Sequence, residues 1–319
     1  MQFSMMRLAN LMHITPASPF RADDHLTQHL FDGFRLNQAV INNIQQCVHL
    51  LADIQRHRAC SLAILSGNLS FENQVCALHR KINARLAYLD RQTELADVID
   101  KHEWDTVLSE WQVVGFGWRN DNVLHNFELH SHLLDFILNI VRNAGRWVLR
   151  SGSYSEHVAN HHIGHDVFAF VFATHLYQIE TLGRLRGLGT HVASSGCTDN
   201  NMRMRIEFLL QRARHEQIIS REFLDAHALS VSKNIPAVLD MQRSETSLQE
   251  CLALLTDITQ SRCTPSDALT QQIFDLASTV INAKLAFTEQ ILAYLHLAIE
   301  EMLESLLDET VQEKGVRDT

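Results

Sequence analysis

The sequence predicts an all-α protein, and three observations carry that prediction. Only 12 Gly and 4 Pro interrupt 319 residues, too few turn-formers for a strand-rich fold. Apolar residues make up 46% of the chain, enough for a large core. They recur at alternating spacings of three and four, which lays one stripe along one helix face.

The elements follow in order. Residues 1–28 contain Pro16 and Pro19 and read as an irregular N-terminal arm. A first long helix is expected over about 29–66, ended by Ser66-Gly67-Asn68. A second covers about 70–98 with Phe71, Val75, Leu78, Ile82 and Leu89 inward. A third, about 103–118, carries Trp104, Trp111 and Trp118 at heptad spacing, a core stripe. The fourth runs from about 121 to 150 and stops at Ser151-Gly152-Ser153. A fifth spans about 155–194 and ends at Ser195-Gly196. Further helices are expected near 199–230, 235–260 and 266–311, before a polar tail at 312–319. The helical body is therefore 29–311.

Two stripes are interrupted by charge. Ile41, Ile44, Val48, Leu51, Gln55, Arg58, Leu62 and Leu65 form one seam; Phe168, Phe172, His175, Ile179, Leu182, Arg186, Gly189 and Ala193 form another. A guanidinium keeps its proton, so burying it without an anion costs several kcal/mol. Something negative should meet Arg58 and Arg186. Both are followed by small residues, Ala59 and Ser61 after one and Gly187 and Gly189 after the other. The two lie 128 positions apart, as do Ser66 and Ser194 beyond them. Such an internal repeat fits two four-helix bundles of up-down topology that share long helices. Arg56 and Arg184 stand two residues before the seam arginines, about 200° around the helix, and are expected to face away from it.

Composition excludes several functions. Formal net charge is -10, which argues against direct nucleic-acid binding. Residues 300–319 hold seven acids and two bases, so that end carries about half the charge. Basic residues are 22 Arg and 5 Lys, a bias that suits planar oxyanions through paired hydrogen bonds. Six cysteines show no CxxC and no zinc-type spacing. The first twenty residues lack a secretory leader, and no apolar stretch is long and clean enough to insert in a membrane. A cytoplasmic protein is expected. His161 and His165 have a metal-compatible i, i+4 spacing, but no Glu accompanies them and Gly164 weakens the helix; no metal site is expected. No nucleophile elbow, P-loop or dinucleotide motif occurs, so no cofactor and no enzymatic activity are expected.

Two readings of the arginines remain open. In one, Arg58, Arg186 and Gln55 converge as donors on a small planar oxyanion. In the other, a helical scaffold, each arginine pairs internally with a carboxylate; Asp53, Asp135, Glu180 and Glu207 are available. A carboxylate within reach of each arginine fits the scaffold, and an empty polar site fits the ligand.

The stretch Gln55-Arg56-His57-Arg58-Ala59-Cys60-Ser61 resembles the Gln-x-Glu-Arg-Gly-x-Ser motif of nitrate- and nitrite-sensing (NIT) domains, with His57 replacing Glu and Ala59 replacing Gly. Leu182-Gly183-Arg184-Leu185-Arg186-Gly187-Leu188-Gly189-Thr190 is similar to the family's second arginine motif. Phe127-Glu128-Leu129-His130 and Phe274-Asp275-Leu276-Ala277-Ser278 also resemble family segments, so the similarity covers about 35–300. The resemblance implies two four-helix bundles in which arginines between helices grip nitrate or nitrite. It carries over to Arg58 and Arg186, with Arg56 as a further candidate and Gln55 added from the seam. Arg203, Arg205, Arg212, Arg214 and Arg243 offer too many later candidates to select among. Family members relay binding to an attached output module. Beyond Ile299 this chain leaves little length for one, so action on a separate protein partner or a second copy is expected.

Overall fold

A computed structural model of the chain describes residues 23–92, 98–150, 164–196, 199–260 and 262–317. These are helical with short connections, and no strand occurs among them. The helices are α1 (Asp23–Leu65), α2 (Glu72–Leu89), α3 (Lys101–Gly117), α4 (Val123–Arg150), α5 (Gly164–Phe170), α6 (Leu176–Ser195), α7 (Asn200–Ala226), α8 (Ala228–Asn234), α9 (Ala237–Arg243), α10 (Glu245–Thr259) and α11 (Asp267–Arg317). A π-helical turn, Val171–His175, joins α5 to α6.

Local chemistry sets the ends. Gly67 (φ 99) and Gly196 (φ 67) adopt the left-handed conformation that glycine takes without strain, so α1 and α6 stop at corresponding places. Asp100 accepts from the His102 N–H at 2.9 Å, and Asp199 accepts from the Met202 N–H at 2.7 Å. Both are side-chain caps for orphan donors at helix starts.

Several boundaries differ from expectation. The first helix begins at Asp23, inside the expected arm; residues 1–22 lie outside the described set. The last continues to Arg317, since the single Gly315 costs only about 1 kcal/mol. The helix expected over 199–230 breaks at His227, and that over 235–260 breaks at Ser244. Pro236, which lacks an N–H, keeps α8 and α9 apart.

Helices α1 to α4 pack together. Asp53 on α1 meets Lys81 (2.8 Å) and Arg85 (3.4 Å) on α2. Trp111 on α3 donates to Asn83 on α2 at 2.7 Å. Ser61 on α1 donates to Asn126 on α4 at 2.9 Å. Helices α6, α7, α10 and α11 form a second set, with the short α8 and α9 bridging α7 to α10. In each set, helices adjacent in this order run antiparallel. The sets meet where α1 lies beside both α6 and α11.

Helices α1 and α6 run parallel. Gln55 meets Glu180 at 2.7 Å and, eleven residues further along both chains, Ser66 meets His191 at 2.6 Å. Both predicted seams are buried except at Leu65, and the three stripe tryptophans of α3 lie in the core. No described helix is long and apolar enough to cross a membrane.

Candidate functional site

The two arginines arrive at the junction of the two helix sets. Arg58 and Arg186 are among the largest fully buried side chains, 0% and 1% exposed. Small residues make room for them. A Cβ on Gly183 would lie 2.9 Å from Gln55 Cδ and 3.1 Å from Arg58 Nη2, and one on Gly187 would lie 3.2 Å from Leu62 Cδ1. The glycines of α6 thus let the guanidinium of α1 lie against helix backbone.

Arg58 carries its own anion. Nη1 donates to Glu180 Oε1 at 2.7 Å and Nη2 donates to Glu180 Oε2 at 3.1 Å. Nη1 also donates to Ser131 Oγ on α4 at 2.9 Å. Gln55 Nε2 donates to Glu180 Oε2 at 2.7 Å. Arg184 donates from Nε to Glu180 Oε1 at 2.8 Å and from Nη2 to Asp135 at 2.7 Å. Burial alone would push the Glu180 carboxyl up; Arg58 and Arg184 outweigh it and hold it below the usual carboxylate range. Two guanidiniums and two carboxylates balance this half.

Arg186 has no such partner among the described residues. Nη1 donates to Ser278 Oγ on α11 at 3.0 Å, while Nε and Nη2 are buried without any. Burial pushes its pKa down to about 9, and the nearby charges of Arg56 and Arg58 add to the shift. Arg56 is half-buried and donates from Nη2 to Asn282 on α11 at 3.3 Å.

The halves are otherwise alike. Arg58 lies 5.4 Å from the Phe127 ring centre and bonds Ser131; Arg186 lies 5.4 Å from the Phe274 ring centre and bonds Ser278. Each Phe–Ser pair occupies one turn of the helix opposite. The difference is the acid. Glu180 precedes Arg186 by six residues on α6, and the residue six before Arg58 on α1 is Ala52. Where one half supplies a carboxylate, the other supplies a methyl group.

The site residues read from sequence therefore divide. Arg58 and Gln55 meet each other through Glu180, and Arg186 stands with Arg56 on the α11 side. Arg184 does not face away. It sits one turn after Glu180 and folds back onto it, because a carboxylate at i−4 lies within its reach. Arg56 is not a freely solvated residue either, since α11 covers that face. Ser131 and Asn282 lie outside the segments read from sequence, and Ser278 enters only at the end of one; the shared Phe-x-x-x-Ser spacing on α4 and α11 is the signal for the two serines. Asp53, a candidate partner, is engaged with α2. His161 lies outside the described residues, among which no group of three or more His, Cys, Asp or Glu is placed to hold a metal ion. Cys47, Cys60 and Cys251 are buried thiols pushed up to about 12 by burial.

No protein-family model matches this chain, and no curated protein matches it. Among solved structures it is similar to the NasR transcription antiterminator, with a TM-score of 0.61 at 14% identity, covering 91% of this chain and 75% of that one. At that identity the likeness is one of fold, and it spans both helix sets.

Proposed function

We propose that the protein is a regulatory sensor of a small oxyanion, nitrate or nitrite, bound at Arg186 and Arg56 between α1, α6 and α11. The observation that carries this reading is the buried Arg186 guanidinium with two unpartnered donors and no carboxylate. An uncompensated buried cation is costly, and an anion of the right size removes that cost. A unit charge about 4 Å from a guanidinium gains roughly 4 kcal/mol at an effective dielectric of 20. Two such contacts less desolvation are compatible with micromolar affinity, about -8 kcal/mol. Ser278 and Asn282 supply polar positions at the rim, and Arg58, held by Glu180, adds positive field from behind. The choice of nitrate or nitrite rests on the resemblance of the two arginine motifs to NIT domains. The fold shared with a transcription antiterminator favours a regulatory role in the cytoplasm. In this reading the chain acts by binding rather than by turnover. The bound anion draws α1, α6 and α11 together and alters a surface presented to a partner protein or a second copy.

The scaffold alternative is favoured in one half by the Arg58–Glu180 pair, which needs no ligand. Isothermal titration with nitrate, nitrite and chloride separates the readings. The sensor predicts micromolar nitrate or nitrite binding that Arg186→Ala and Arg56→Ala each weaken by tenfold or more. Absence of heat from both oxyanions, with the wild-type chain folded, overturns it.

A further inference from the structure

A second group of arginines lies away from the Arg186 cluster. Arg142, Arg146 and Arg150 occupy successive turns of one face of α4. Together with Leu149, they line a cavity of about 550 Å³ closed on the other side by His165, Ala169, Phe172 and Ala173. The opposite wall includes part of the π-helical turn Val171–His175. Such turns are rare and recur at functional sites.

Among the described residues the three arginines have no ion pair, and only Arg142 has a structural contact. Arg142 lies 5.8 Å from the Tyr177 ring centre, and its Nε is buried without a partner. None of the three meets an acid among the described residues, although the chain is acidic overall. The acid beside His165 is Asp166, at 4.0 Å and with its side chain 82% exposed. Three guanidiniums with no acid beside them among the described residues repel one another along one wall, and an anion in the cavity relieves that repulsion.

Spacing and walls define the ligand. Arginines four residues apart are about 6 Å apart along the helix axis, so the row spans about 12 Å. One monovalent oxyanion reaches two of them at most; all three call for a ligand with charge on more than one group. The guanidinium fork suits phosphate oxygens. Ala169 and the exposed Ala173 present an apolar wall, with the nearly buried Leu149 and Phe172 at its base, and the volume falls in the range of small-molecule sites. We infer that this cavity binds a nucleoside di- or triphosphate, its phosphates along the arginine row and its base against the apolar wall.

The test is titration of the full chain with ATP, GTP, pyrophosphate, citrate, sulfate and a short single-stranded RNA, at near-physiological salt. A nucleoside triphosphate should bind at least tenfold more tightly than sulfate or citrate. Arg146→Gln and Arg150→Gln, both at exposed positions where folding is retained, should each weaken it by fivefold or more. Arg186→Ala should leave this binding unchanged, so failure here and failure of the nitrate reading are distinguishable. Pyrophosphate matching the nucleotides would overturn the base-binding part. Binding of RNA without nucleotide, citrate equal to nucleotide, or nucleotide binding indifferent to both Gln variants would overturn the proposal.

Discussion

Glu180 and Arg58 meet face to face across the α1–α6 contact, both carboxylate oxygens on one guanidinium, at 2.7 and 3.1 Å. Gln55, Ser131 and Arg184 complete the shell. A buried pair joined by two hydrogen bonds is tolerated whole and damaging when halved. Glu180→Gln should cost about 3–5 kcal/mol in urea unfolding, because Arg58 is left without an anion. The double variant Arg58→Met/Glu180→Leu should recover most of that loss. Equal losses in single and double variants would refute the pairing as the source.

Gly183 sits where α6 passes over this pair. Alanine there should gain about 1 kcal/mol of helix propensity. Its Cβ, however, would fall 2.9 Å from Gln55 Cδ and 3.1 Å from Arg58 Nη2, both fixed by Glu180. The expected outcome is a net loss of about 1–3 kcal/mol, read as a lowered thermal midpoint. A raised midpoint would mean the contact relaxes freely.

Acid should unfold the protein at mild pH. His130 and His175 are buried and pushed down to about 3, and His57 lies well below its ordinary value, burial being the largest cause in each. Below pH 6.5 the unfolded chain takes up protons that the folded one refuses. Stability therefore falls as pH drops from 6.5 toward 3. At pH 5 His130 and His175 each cost roughly 2 kcal/mol. Denaturant midpoints measured between pH 7 and 5 should fall steadily, and His175→Phe should flatten the slope.

Lys284 behaves in the opposite range. Burial pushes it down to about 8, with Glu216 and Glu245 partly opposing. Its ammonium donates to Gln178 Oε1 at 3.4 Å. The unfolded lysine holds its proton up to 10.5, so stability attributable to this group rises with pH between 8 and 10.5. Lys284→Met should remove that rise and add on the order of 3 kcal/mol at pH 7. A destabilised Met variant at neutral pH would show that the ammonium has a stabilising partner.

What was legible beforehand follows from helix periodicity. A repeat near 3.6 residues fixes which side chains share a face, so the buried seams, the inward direction of Arg58 and Arg186 and the tryptophan core of α3 could all be read from one strand of text. Breaks at His227 and Ser244 could not, because the local propensities there permit helix on both sides.

Composition and helix periodicity suffice for an all-helical chain, two inward guanidiniums 128 residues apart and the small residues that admit them. Which cation receives the carboxylate is a matter of how the helices pack. Glu180 shares a helix with Arg186 but precedes it by six residues, about 240° around the axis, and so points from a different face. Only the packing and axial register of α1 against α6 bring it onto Arg58. The same register sets Ala52 in the corresponding place, and leaves Arg186 a buried cation without an acid among the described residues.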